Sequence, residues 1–249
     1  MSTLTINQFK MNSTYLIFGI SKGLGQALTL ALPNNEDIVY GVSRSKPTYL
    51  IDKSNVNWIP ADLSNPEQAI QMIESVIGKS KIDFFIYNVG IWERTGFTAD
   101  FDFDTISQSE IINIINTNLI SCILTVQSCV ANLKLSSNPK IIFIGSTWGL
   151  DNHNGKEVTF SATKFALRGI IHSLRENLRP FKIGVSIINL GYLATEYMID
   201  VPNEDVIKYT NGELIPLMDV VNAVKFVITT SNASCVKEIN MPAMQDKNM

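Results

Sequence analysis

A chain of 249 residues, 45% hydrophobic and 17% charged, can bury a large core as one α/β domain or as two small ones. A formal net charge of −3 argues against a nucleic-acid surface, which needs clustered Lys and Arg. No apolar run reads as a bilayer span and no basic-then-apolar leader opens the chain, so a cytoplasmic protein that avoids membranes and nucleic acid is expected. Met11 is a possible alternative start, since the first strand begins only near Thr14. Cys122, Cys129 and Cys235 show neither disulfide pairing arithmetic nor metal spacing, and no His/Cys/Asp/Glu cluster suggests a metal.

Short β-branched runs alternate with longer amphipathic stretches, the pattern of a parallel sheet flanked by helices. Tyr15–Phe18 reads as a first strand, followed by a Gly-rich turn and a helix over Leu24–Leu32. Strands follow at Asp37–Val42 and Val56–Ile59, and then a helix from Pro66 to Ile77, ended by Gly78. Ile82–Tyr87 is a fourth strand, apolar enough for burial on both faces. One long helix is expected over Gln108–Leu135, a strand at Ile141–Ile144, and a second long helix over Val158–Arg179, stopped by Pro180. Ile183–Ile188, a helix at Met218–Thr229 and a short strand at Val236–Ile239 complete the alternation, giving a single doubly wound Rossmann-type domain over 1–249. Residues 191–216 lack a clear period, and loops of that length in compact domains are usually functional lids.

Gly19-Ile20-Ser21-Lys22-Gly23-Leu24-Gly25 lies between a strand and a helix. The glycines permit a tight turn, close approach of a pyrophosphate and close helix–strand packing, while the helix start offers free N–H groups. The spacing is Gly-x-x-x-Gly-x-Gly, and its strand–turn–helix setting points to a dinucleotide. At the end of the second strand, where a carboxylate would select NAD, the chain has Ser43-Arg44-Ser45, with Lys22 in the turn. Two cations and two hydroxyls suit a 2′-phosphate, so NADP(H) is the expected cofactor; the alternative is that Arg44 and Lys22 are solvated surface cations.

That spacing, together with Thr159-Phe160-Ser161-Ala162-Thr163-Lys164, resembles the short-chain dehydrogenase/reductase family, and the resemblance covers nearly the whole chain. It implies an adenine contact at Asp62-Leu63, the Asn-Ala-Gly motif at Asn88-Val89-Gly90, and a supporting helix asparagine at Asn118. It also implies that Ser146 bonds the substrate oxygen and Lys164 holds the nicotinamide ribose, with Gly191 and Thr195 on the segment that closes over nicotinamide. A homodimer or homotetramer joined through the two long helices is implied as well.

Two departures stand out. Leu190 replaces a proline before Gly191, and Phe160 replaces the tyrosine that serves the family as proton donor. A positioned acid is worth roughly 10²–10⁴ in carbonyl reduction, and a phenyl ring cannot supply it. Reduction of a conjugated carbon–carbon double bond needs donors at an enolate oxygen instead, which Ser146 could provide. In lacking this tyrosine the chain is similar to the conjugate reductases of bacilysin and aeruginosin-type biosynthesis. A carbonyl reductase in Tyr→Phe form and a non-catalytic NADP(H)-binding module remain the alternatives.

Other residues are candidates for a small-molecule substrate. His153, in the loop Asp151–Gly155, is either a substitute acid or an exposed loop histidine. Trp92, Glu93 and Arg94 follow the fourth strand, where Arg94 is either a carboxylate anchor or a solvated charge. Trp148, Tyr192 and Tyr197 are expected as pocket walls, and His172 as a packing or surface residue.

Overall fold

The computed structural model describes residues 12–151 and 153–246; Met11 and Asn152 lie outside them. Seven strands form one sheet: β1 (Thr14–Phe18), β2 (Ile38–Ser43), β3 (Val56–Pro60), β4 (Phe84–Tyr87), β5 (Lys140–Ile144), β6 (Gly184–Leu190) and β7 (Glu238–Met241). Their order is β3-β2-β1-β4-β5-β6-β7, and every pairing is parallel. All residues of β1, β5 and β6 are buried, which explains why these runs are continuously apolar rather than alternating.

Helices cover both faces. On one side α2 (Pro66–Ile77), α4 (Ser121–Leu133) and α5 (Val158–Leu178) enclose a core that includes Phe18, Phe85, Tyr87 and Phe143. On the other, α1 (Gly23–Ala31) and α7 (Leu217–Thr229) pack over Ile17, Ile86, Ile142 and Ile188. The chain runs outward from β1 to β3, then crosses to β4 on the other side of β1. That reversal opens a crevice at the C-terminal ends of β1 and β4, where this topology places ligands.

The expected long helix at 108–135 is not uniform. It divides into α3 (Gln108–Ile115), a π-helical turn at Asn116–Ile120, and α4. Such single π turns commonly mark functional positions, and this one carries Asn118. Contrary to the reading of the bare sequence, Gln108–Leu133 is long and apolar enough by length and composition to cross a membrane. Here its apolar side packs against α2 and α5 as a core element, with Ile114, Cys122, Val126 and Leu133 buried. The aperiodic stretch 191–216 contains α6 (Asn203–Thr210), whose only buried residue is Val206, too little to show an apolar period. The ends of that stretch meet in a parallel bridge between Leu193 and Ile215.

Candidate active site

The Gly-rich turn and the β4 end lie in contact. A Cβ at Gly19 would stand 2.1 Å from the Asn88 carbonyl oxygen, and one at Gly25 1.9 Å from the Gly19 oxygen. Only glycine fits either position. Asn88 Nδ2 donates to the Gly19 carbonyl at 3.4 Å, holding the crevice walls together. Lys22 precedes α1 in extended conformation and no side chain caps the helix, which leaves its first N–H groups for an anion. These features fit a pyrophosphate. Ser21 and Lys22 are exposed beside the turn, whereas the Leu24 side chain is buried and can offer only its backbone. The Tyr49 hydroxyl, which the sequence reading missed, donates to the Ile20 carbonyl at 2.6 Å and braces the turn from below. Burial pushes that phenol up to about 12.

At the end of β2 the structure corrects one expectation. Ser43 is buried; its hydroxyl donates to the Ser45 carbonyl at 2.9 Å and accepts from Trp58 Nε1 at 3.0 Å. Its only proton is committed within the protein, so it has none for a phosphate. Arg44 is exposed and makes no ion pair among the described residues, and Lys46 is exposed beside it. Asp62 is exposed and accepts from the Ser64 amide at 3.1 Å. Buried Leu63 takes the Ser121 hydroxyl on its carbonyl at 2.6 Å.

The π turn aims Asn118 between two segments. Its Oδ1 accepts from the Ile91 amide at 2.8 Å, and its Nδ2 donates to the Ile91 carbonyl at 2.7 Å and to Thr163 Oγ1 at 3.1 Å. Asn118 therefore ties the chain after β4 to α5 at Thr163, the residue before Lys164. Lys164 Nζ lies 5.4 Å from the Phe160 ring centroid and donates to the Ile144 carbonyl at 3.2 Å. A Cβ at Gly90 would stand 3.0 Å from that ammonium and 3.8 Å from Phe160 Cε2. Burial pulls the Lys164 pKa down to about 8, with the nearby Cys122 acting weakly in the other direction. Ser146 is buried, and its Oγ accepts from the Trp148 amide at 3.2 Å. Its proton is directed at no described acceptor.

Aromatic rings fill the space in front of Phe160. Phe97 meets Trp148 at 5.3 Å, Trp92 at 5.4 Å, Phe160 at 5.5 Å and Tyr192 at 5.9 Å between centroids, all edge-on. Phe97 has φ of 63°, a left-handed conformation uncommon for a bulky side chain. Two hydrogen bonds to Glu157 hold the arrangement: the Phe97 amide donates to Oε1 at 2.7 Å, and Trp148 Nε1 to Oε2 at 2.7 Å. Burial pushes the Glu157 carboxyl up, but these donors, with the amides of residues 156 and 157, leave it below the usual carboxylate range. Glu93 is wholly buried, and its Oε1 accepts from the Thr159 and Phe160 amides at 2.7 and 3.3 Å, capping α5 from another loop. Phe97 and Glu157 were absent from the sequence reading because their roles exist only once the loops meet.

Two expectations, those for His153 and Tyr197, need amendment. His153 is half-buried: Nδ1 accepts from the Gly155 amide at 3.0 Å, and Nε2 lies 3.0 Å from Ser161 Oγ, which donates to the Trp148 carbonyl. Its ring stacks on Trp148 and both nitrogens are occupied, so it serves the loop and is neither a substitute acid nor a free surface residue. Tyr197 stacks on Tyr209 of α6 at 5.9 Å instead of joining the aromatic wall. Arg94 is exposed in an open groove with Trp92, Ser107 and Asn113, its amide donating to Glu110. Trp92, Trp148 and Tyr192 do line the aromatic cluster, and burial, with Glu157 and Asp246 behind it, raises the Tyr192 phenol. Gly191 follows β6, and Thr195 approaches the turn, its Cγ2 3.2 Å from where a Gly23 Cβ would stand. His172 is exposed on α5.

Comparison with known proteins agrees with this construction. An acetoacetyl-CoA reductase from Acinetobacter sp. is 27% identical over 187 residues, covering 72% of each protein. A short chain dehydrogenase family protein from Francisella tularensis superposes with a TM-score of 0.75 at 21% identity, covering 93% of this chain and 97% of that one. A Tyr-to-Phe variant of ElxO with NADPH bound gives a TM-score of 0.73 at 19% identity, covering 93% and 97%. The family described as short chain dehydrogenase matches residues 13–205, so the chain belongs to the short-chain dehydrogenase family.

Proposed function

We propose that this oxidoreductase is an NADPH-dependent reductase of carbon–carbon double bonds conjugated to a carbonyl. The observation that carries the reading is Phe160: the position one helical turn before Lys164 holds a phenyl ring packed against Trp92 and Phe97, with no proton to give. NADPH, when bound, supplies a hydride. The phosphate preference rests on exposed Arg44, Lys46 and Lys22 at the β2 end and the Gly-rich turn, in keeping with the NADPH-bound ElxO variant. The Asn88 side, α1 and the lid 191–216 would enclose the cofactor, and Lys164 would meet its ribose.

The protein's part is then electrostatic. Ser146 presents an uncommitted O–H to the substrate oxygen, where enolate charge accumulates during β-carbon reduction. Lys164 adds a cation nearby, and water protonates the α-carbon. The apolar wall of Trp92, Phe97 and Phe160 suits a flat conjugated group and puts no acid at the position one turn before Lys164. The reading also places a second copy of the chain against α3–α5, where Ile112, Ile123 and Phe165 are exposed.

Carbonyl reduction is the second reading. The acetoacetyl-CoA reductase relative favours it, and the Tyr192 phenol near Trp148 would be its proton source. A paired assay separates the two: NADPH oxidation with a cyclic enone and with its saturated ketone. The proposal expects the enone to be preferred by roughly 10²-fold or more, the worth of a missing acid. Equal rates on both, or a preference for the saturated ketone, would overturn it.

A further inference from the structure

At the end of the sheet opposite the candidate active site lies a second concavity of about 430 Å³. It is lined by Lys140, Arg175, Arg179, Lys182, Lys237 and His172, with Glu176 the one carboxylate among the lining residues. Lys140 opens β5 and Ser146 follows its other end, so the two sites are separated by about 17 Å of strand. A cavity of this size is in the range that small ligands fill. Five cations are gathered here in a chain whose net charge is −3.

Neighbouring acids neutralise only one member of the group, Arg179. Glu176 pairs with Arg179 at 2.5 Å, and Glu238, close to Arg175, is engaged by Arg168 at 3.4 Å and by Asn189. Among the described residues, Lys140, Arg175, Lys182 and Lys237 form no ion pair. Lys140 is only 2% exposed, yet its ammonium meets two carbonyls, Ser231 at 3.1 Å and Ser234 at 3.4 Å, and no carboxylate. An ammonium has three donors, so one remains. Burying such a charge without a counter-ion is costly, and desolvation lowers its pKa accordingly. Arg175 is held rigidly by the Val185 and Lys237 carbonyls, which fixes its guanidinium at the cavity wall.

We infer that this cavity binds a multiply charged phosphate group, such as the pyrophosphate of a nucleotide, independently of the nicotinamide site. The Arg175 guanidinium, held through Nε and Nη2 by carbonyls, keeps Nη1 for a phosphate oxygen, and Lys140, Lys182 and Lys237 supply compact charges.

Cys235 provides a local reporter, because it lines this cavity and is exposed whereas Cys122 and Cys129 are buried. The rate of its alkylation by neutral iodoacetamide, located by peptide mass, would be followed with inorganic pyrophosphate, with ADP, and with sodium chloride at matched ionic strength. Pyrophosphate or ADP should slow the reaction roughly tenfold at about ten times its Kd. Stronger protection by ADP would identify a nucleotide, and equal protection the pyrophosphate group alone; either supports the site. In Lys182→Gln and Lys237→Gln, the half-protecting concentration should rise about tenfold for each charge-assisted bond lost. No protection, protection matched by sodium chloride, or half-protection unchanged in both variants would overturn the inference.

Discussion

The Lys164 ammonium lies 5.4 Å from the centre of the Phe160 ring and turns away to donate to the Ile144 carbonyl. With no phenol to polarise, the lysine is left as a buried cation supported by one backbone oxygen and a ring face. Both the proposed reaction and the pH response of the protein follow from that pairing.

Restoring the hydroxyl tests the reaction first. Phe160→Tyr should raise kcat/KM for a saturated ketone by roughly 10²-fold or more while leaving enone reduction within a few-fold. Steady-state assays on the matched pair of substrates check this. A fall in enone reduction would also fit the account, whereas a rise in both reactions together would count against it.

The lysine has a signature in stability. Its folded pKa of about 8 lies below the ordinary 10.5, so below pH 8 both states carry the proton and the buried charge costs up to roughly 3 kcal/mol. Between pH 8 and 10.5 the unfolded chain binds more protons, and the penalty fades as pH rises. Cys122, pushed up to about 12 by burial, titrates above this window. Lys164→Met should therefore be more stable than the parent at pH 7, with the gain shrinking towards pH 10.5. Denaturant melts across that range measure it; a gain independent of pH would show that the charge is not the cause.

Cofactor choice rests on the β2 end. Arg44→Ala removes one forked donor and should weaken NADPH binding by roughly 10–100-fold, the worth of charge-assisted hydrogen bonds, while NADH binding changes little. Fluorescence titration with each nucleotide decides it. Equal losses for both would mean that Arg44 does not read the 2′-phosphate.

Phe97 is predicted to limit substrate size. Phe97→Gly removes a ring held edge-on by four others and relieves a left-handed backbone worth roughly 1–3 kcal/mol of strain. Bulky enones should gain at least several-fold in kcat/KM relative to small ones. If the variant changes large and small substrates alike, the ring does not shape the pocket.

The sequence made some of this legible and not the rest, for physical reasons. Buried parallel strands announce themselves as unbroken apolar runs, and Gly19 and Gly25 as turn residues, because local sterics allow nothing else there. The π turn at Asn116–Ile120 was hidden, since nothing in Asn-Thr-Asn-Leu-Ile demands the one-residue insertion that widens the helix there. Ser43 was counted as a phosphate ligand because only the folded sheet brings Trp58 to its hydroxyl. Likewise Glu157 and Phe97 are 60 residues apart, and the hydrogen bond that sets the aromatic wall is a tertiary event. His153 looked free because its partner Ser161 belongs to α5, across the loop.

The most direct test supplies stereospecifically deuterated NADPH with a conjugated enone and locates the label by NMR. The account predicts deuterium at the β-carbon of a saturated ketone product. Deuterium on a carbinol carbon, with the double bond intact, would contradict it.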